Sequence, residues 1–280
     1  MSKVVELRSK IKSISRINKM TEAMQIVAVA QLKLMQARQR ASTHYKRHYD
    51  RLAKRLNISV TRVGKPEPIT LCYLFASERG FCGNFNEKIF ALVKSSIDSE
   101  RAQGREPKFI IIGRKGLECP LNEDQIYNKI VGVEKFTFEQ ISGYALESYN
   151  QFMQNKVEKV CLIYNKFVSM LDQTSLFQRA LPFDLSAITV SPANILFEPS
   201  HEDVAEHVEL NYLKSLFYDV FMQTRIGEIA SRLMTMRSSA QNSKDIINDL
   251  TIRLNKARQA SITVELSEIL SSFEILQGES

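Results

Sequence analysis

From Glu228 to Gln277 the chain contains neither Gly nor Pro, so nothing there interrupts a helix. Along this stretch Leu233, Met236, Ala240, Ser243, Ile247, Leu250, Leu254, Ala257, Ser261 and Val264 follow one another at steps of three and four. A 3.5-residue period sustained this long predicts a helix wound left-handedly around another. The seam alternates large residues with Ala and Ser, which allows close approach and buries little apolar area. Residues 1–63 can supply the second helix. They also lack Gly and Pro, and Leu7, Ile11, Ile14, Ile17, Met20, Met24 and Val27 form an apolar stripe with Lys10, Lys12, Arg16 and Lys19 mostly off it. A single helix over 3–56 is roughly 80 Å long at about 1.5 Å per residue. A small domain is seldom wide enough to bury that length, so the helix must pair and project.

The pattern changes at Gly64-Lys65-Pro66-Glu67-Pro68. All seven prolines lie between 66 and 199, and eight of the ten glycines between 64 and 143. Ile69–Ala76, Phe109–Ile112 and Val157–Phe167 read as strands, and Asn84–Gln103 and Phe138–Gln154 as helices. Ala187–Phe197 reads as a further strand and loop. Strands alternating with helices predict a Rossmann-like layer with a parallel sheet. From His201 the helical pattern resumes and runs to the end. The expected fold class is therefore α/β: a long antiparallel coiled coil of N- and C-terminal helices (1–63 and 201–280) with an α/β globular insert (64–200).

Charge sharpens this division. Residues 1–63 carry fifteen Lys/Arg against three Asp/Glu, a net +12, whereas the whole chain is +7 and the remainder therefore −5. A basic helix suits an acidic partner, whether protein, nucleic acid or anionic lipid. Cys72, Cys82, Cys119 and Cys161 are scattered without a C-x-x-C pair, which argues against a zinc site or disulfide scaffold and fits a reducing compartment. The longest charge-free run is thirteen residues, Leu185–Phe197, against about 20 for a membrane span. No secretion signal is expected either.

Candidate chemistry is sparse. Gly80-Phe81-Cys82-Gly83 follows a strand and precedes a helix, as a phosphate loop does, but neither G-x-G-x-x-G nor G-x-x-x-x-G-K-[ST] is present. A tight turn using Gly80 and Gly83 is the simpler reading. His44 and His48 stand one helical turn apart with two cations between them, which opposes a metal. Asp245/Asp249 and Glu265/Glu268 are carboxylate pairs on an extended helix, with no pocket to desolvate them. Cys82 could be a thiolate at a helix N-terminus, yet no His lies near it in sequence. No catalytic constellation, cofactor or metal site is expected.

A polar block, Asn255-Lys256-Ala257-Arg258-Gln259-Ala260-Ser261-Ile262-Thr263 followed by Glu265 and Glu268, resembles the C-terminal signature of the gamma subunits of F-type ATP synthases. So do Asn18–Ala28, Arg79–Asn86, Phe197-Glu198-Pro199 and Arg232–Asn242, in family order along nearly the whole chain. Departures are Glu22, Gln25 and Gln31 where Lys is usual, Leu34 for Arg, Phe81 and Asn84 in the turn, and Ser272-Phe273 for Gly-Ala. The resemblance implies a non-catalytic rotor shaft inside a ring of three alpha and three beta subunits. It also implies contacts with an epsilon subunit and with a membrane ring of c subunits. Catalysis would then belong to beta, and rotation would couple proton or sodium flow to ATP synthesis or hydrolysis. It assigns Arg258, Gln259, Ser261 and Thr263 to a catalytic-subunit loop, Lys19, Met24 and Lys33 to the beta-subunit levers, and Phe197 and Glu198 to the c ring and epsilon. The expected place is the cytoplasmic face of a bacterial plasma membrane, reached only through the complex. The alternative reading is a basic coiled-coil protein that binds nucleic acid through its first helix.

Overall fold

The computed structural model describes residues 2–56, 58, 62–183, 198 and 200–278, with backbone alone at 2, 201, 202 and 271–278. Helix α1 spans Ser2–Arg55 and α4 His201–Gly278. The chain forms two compact units, Met1–Val27 with Thr235–Ser280, and Ala28–Met234.

The larger unit is built on a five-stranded sheet. Its strands are β1 (Ile69–Phe75), β2 (Glu106–Ile112), β3 (Ile126–Ile130), β4 (Lys159–Phe167) and β5 (Gln173–Leu181), in the order β3-β2-β1-β4-β5. The first four are mutually parallel, and β5 runs antiparallel to β4 as an edge. Alternation along the central strands serves two cores. Leu71, Tyr73, Phe75, Ile110 and Ile112 face one way, and Cys72, Leu74 and Phe109 the other. Helix α2 (Phe85–Ala102) covers the second face with Phe85, Ile89 and Val93. Helix α3 (Phe138–Met153) covers the first with Ile141, Ala145, Tyr149 and Phe152. Thr137 and Gln140 close its N-terminus as a capping box.

Helix α4 completes that first face. Leu213, Leu216, Phe217, Val220 and Phe221 enter the same core, and the Phe217 ring stands edge-on to Tyr73 at 4.9 Å. Within this unit Ala28 and Leu32 of α1 meet Ile226–Leu233 of α4, while Ala53 and Leu56 meet Val208. The two helices therefore run antiparallel. Two strands were not foreseen, β3 and β5. Both are edge strands whose exposed positions interrupt the apolar pattern. Ala187–Phe197 lies outside the described residues.

In the smaller unit the α4 seam follows the sequence pattern. Met236, Ala240 and Ser243 are buried, and Ile247, Leu250, Leu254, Ala257 and Ser261 half-buried. Val264, at 56% exposure, falls off it. The α1 stripe needs correcting. Leu7, Ile11 and Ile14 face inward, but Ile17 and Met20 are 54% and 56% exposed, and Val27 is exposed as well. After Ile14 the inward positions include Asn18, Thr21, Met24 and Gln25, so Met24 of the stripe keeps its expected side. A one-residue offset turns a helical position through about 100°. The close approach set by Ala240 and Ser243 admits small or slender residues, so the bulky apolar ones sit on the outer face.

Candidate partner-binding surfaces

The outer face of the smaller unit follows directly from that seam. Ile17, Met20 and Ile26 on α1, and Ile246, Ile252, Ile262 and Leu266 on α4, are all substantially exposed. Cations stand among them. Lys19 and Arg258 are exposed and make no ion pair among the described residues. Gln259 is exposed beside Arg258; its carbonyl accepts a 3.0 Å hydrogen bond from Thr263 Oγ1. Ser261 is half-buried and its hydroxyl lies 3.2 Å from Glu265 Oε1. An apolar face carrying a charged, donor-rich block has the composition of a protein interface.

Glu22, where the family usually carries Lys, has a structural explanation. Its carboxylate pairs with Lys244 across the two helices at 2.9 Å. The Lys244 ammonium holds the Glu22 carboxyl below the usual carboxylate range, with help from Asn18. Gln25 is half-buried in the seam, and Leu34, in the larger unit, is exposed.

The other predicted positions are divided between the two units. Met24 is half-buried in the smaller unit, while Lys33 is exposed on the part of α1 that belongs to the sheet unit. Glu198 is exposed; Phe197 lies outside the described residues.

The turn after β1 is held by groups the sequence did not single out. Glu228 of α4 is completely buried. It pairs with Arg225, and with Arg232 at 2.5 Å, and accepts the Arg79 amide at 3.3 Å. Arg232 also donates to Gly80 O and Arg79 O, and Ser231 Oγ donates to Cys82 O at 2.6 Å. A phosphate loop turns its amides toward an anion. Here the carbonyls of Arg79, Gly80 and Cys82 turn toward donors on α4, and the Arg79 amide meets a carboxylate of the same helix, so the turn is a docking point for a helix. Left-handed backbone occurs at Phe81 (φ 59°) and Gly83 (φ 58°), and Gly80 needs none. Burial pushes the Cys82 thiol up, which keeps it a thiol. The signal for Glu228 was present as Arg225, Glu228 and Arg232 at steps of three and four. Surface helices carry such triplets too, and only burial distinguishes this one.

His44 and His48 are both exposed. No helix among the described residues is long and apolar enough to cross a membrane.

Residues 3–276 match the family described as ATP synthase, which makes the chain a component of that machine. It is 30% identical over 283 residues to the ATP synthase gamma chain of Ehrlichia canis (strain Jake), covering 99% of this chain and 100% of that one. Identity to the gamma chain of Dechloromonas aromatica (strain RCB) is 28% over 276 residues, covering 95% and 96%. Its fold is similar to a chain of the Euglena gracilis mitochondrial ATP synthase, solved as OSCP/F1/c-ring in rotational state 3. That likeness has a TM-score of 0.71 at 16% identity, over 98% of this chain and 95% of the other. The chain belongs to the ATP synthase gamma-chain family and is a central-stalk subunit of the rotary enzyme. The nucleic-acid alternative finds no support in these likenesses.

Proposed function

We propose that this subunit transmits torque without an active site of its own. The observation that carries the reading is the inverted apolar pattern of the smaller unit. Thr21, Ala240 and Ser243 are buried in the seam beside Met236, while Ile17, Met20, Ile252 and Ile262 are turned outward. A shaft inside a sleeve needs such a surface. Apolar contact without directional bonds can slide, and sparse charged donors can catch at one angle and release at others. Arg258 and Gln259 are the catch, with Ser261 and Thr263 shaping the backbone around it. Lys19, Met24 and Lys33 meet the beta-subunit levers. Glu198, with Phe197, meets the c ring and epsilon.

One asymmetric shaft among three alpha and three beta subunits holds each catalytic subunit in a different conformation, and rotation exchanges those states. Proton or sodium flow through the membrane ring drives the turn, or ATP hydrolysis reverses it. The bacterial gamma-chain relatives support a place at the cytoplasmic face of a plasma membrane, held there by the complex. The test is the double variant Arg258→Ala plus Gln259→Ala in the assembled complex. It should slow ATP turnover about tenfold or more, as loss of charge-assisted bonds predicts, while alpha and beta still co-purify at three each per shaft. Unchanged turnover removes the catch; a different ratio removes the ring.

A further inference from the structure

An open cavity of about 550 Å³ lies at the surface of the larger unit between α1, the start of α3 and α4. Small-molecule sites commonly span about 300–1,000 Å³. Four of its ten lining residues carry aromatic rings. Phe138 stands edge-on to Tyr45 at 5.5 Å and to Tyr218 at 5.2 Å, and Phe136 joins the same lining. Tyr45 is held by its hydroxyl, 3.4 Å from Asn211 Oδ1. Burial and the neighbouring Tyr49 push the Tyr45 phenol up to about 12, so it stays neutral.

The charge in the lining is one-sided. Arg38 and Lys135 both line the cavity, and no Asp or Glu does. Neither cation has an ion-pair partner among the described residues. The amides that begin α3 at Phe138 add partial positive charge at the same place. Aromatic walls favour a flat apolar body that can stack or meet ring edges. Two unpaired cations favour an acid group, and a guanidinium fork matches a carboxylate.

We propose that this cavity binds an aromatic carboxylate, its ring against Tyr45, Phe138 and Tyr218 and its acid group at Arg38 and Lys135. The site shares no lining residue with the outward positions of the smaller unit or with the turn held by Glu228. Its occupancy therefore does not depend on the torque-transmitting role.

The test uses the assembled complex and the photoreactive acid 4-benzoylbenzoate, with uncharged benzophenone as the control. After irradiation, peptides are mapped by mass spectrometry. The acid should label peptides that contain Tyr45 and Phe138, saturably and well ahead of benzophenone. Arg38→Ala plus Lys135→Ala should raise the half-saturating concentration of the acid about tenfold and leave benzophenone labelling as it was. Both side chains are exposed, so the fold survives their loss, and far-ultraviolet circular dichroism of the variant checks it. Labelling that is equal for acid and control, indifferent to the two cations, or absent from these peptides overturns the proposal.

Discussion

The two units of this chain spend their apolar residues in opposite ways. In the sheet unit large side chains go inward. Phe217, Tyr73, Phe75 and Phe109 are fully buried, and the buried Glu228 carboxylate is paired with arginines. In the smaller unit the buried positions include Thr21, Ala240 and Ser243 beside Met236, while Ile17, Met20, Ile26, Ile246, Ile252 and Ile262 face out. The first arrangement is that of a body that holds itself together, since each buried large side chain contributes roughly 1.5–3 kcal/mol. The second is that of a body completed by others. A seam so slight supplies little apolar burial, and the outer face keeps surface available for neighbours.

The largest effects should come from the self-sufficient unit. Phe217→Ala removes a ring shared by α4 and β1 and should cost about 3–5 kcal/mol. Thermal unfolding of the full chain measures it, and a loss below 1 kcal/mol would mean α4 is not part of that core. Glu228→Ala leaves Arg225 and Arg232 without their buried partner and should cost a similar ~3–5 kcal/mol. Glu228→Gln, which keeps an acceptor for the Arg79 amide, should cost clearly less. Equal losses would mean that the charge matters and the retained hydrogen bonds do not.

A moderate effect belongs to the seam. Ala240→Leu forces a larger side chain into a close approach and should cost about 1–3 kcal/mol by overpacking. If the variant gained stability instead, the close approach between the two helices would be wrong.

How much of this contrast could be read from the chain depends on which face a residue must satisfy. The α4 seam was legible because each position repeats the same demand, and Met236 through Ser261 kept it. On α1, Ile17, Met20 and Val27 of the stripe were read onto the wrong face, while Met24 stays half-buried. The pattern of apolar positions was real, but it marked the outer surface. A single chain cannot say whether an apolar face is turned to its own partner helix or to another subunit. The strands with buried apolar runs, β1, β2 and β4, were visible, whereas β3 and β5 were not, because edge strands alternate with exposed polar residues. Glu228 and Arg232 were hidden for a related reason. A charged triplet at helical spacing ordinarily lies in solvent, and here the turn after β1 closes over it.

A smaller, pH-dependent effect sits at the margin of the sheet unit. Glu209 is buried, and Tyr149 OH donates to its carboxylate at 3.2 Å. Burial raises the Glu209 pKa above its ordinary value, partly offset by that hydrogen bond. A carboxyl whose folded pKa is raised contributes stability below its unfolded value and loses it as pH climbs through the folded one. Glu209→Gln should therefore gain about 2 °C in Tm at pH 7 and nothing at pH 4. A gain of the same size at both pH values would place the benefit in packing and remove the charge from the account.

The smallest expected change in the chain itself is the one that tests the comparison most directly. Ile17→Ser with Met20→Ser alters two exposed positions. In the isolated chain the unfolding free energy should move by no more than about 0.5 kcal/mol, as for ordinary surface substitutions. In the assembled complex the same pair should matter, because the outward face then has neighbours to bury it, and retention of the shaft through washing with moderate urea should fall. Were the isolated chain to lose several kcal/mol, these side chains would belong to the helix seam after all. Were both measurements flat, the outward apolar face would be an ordinary scatter of surface residues, and the distinction between a self-held unit and a partner-held one would fail.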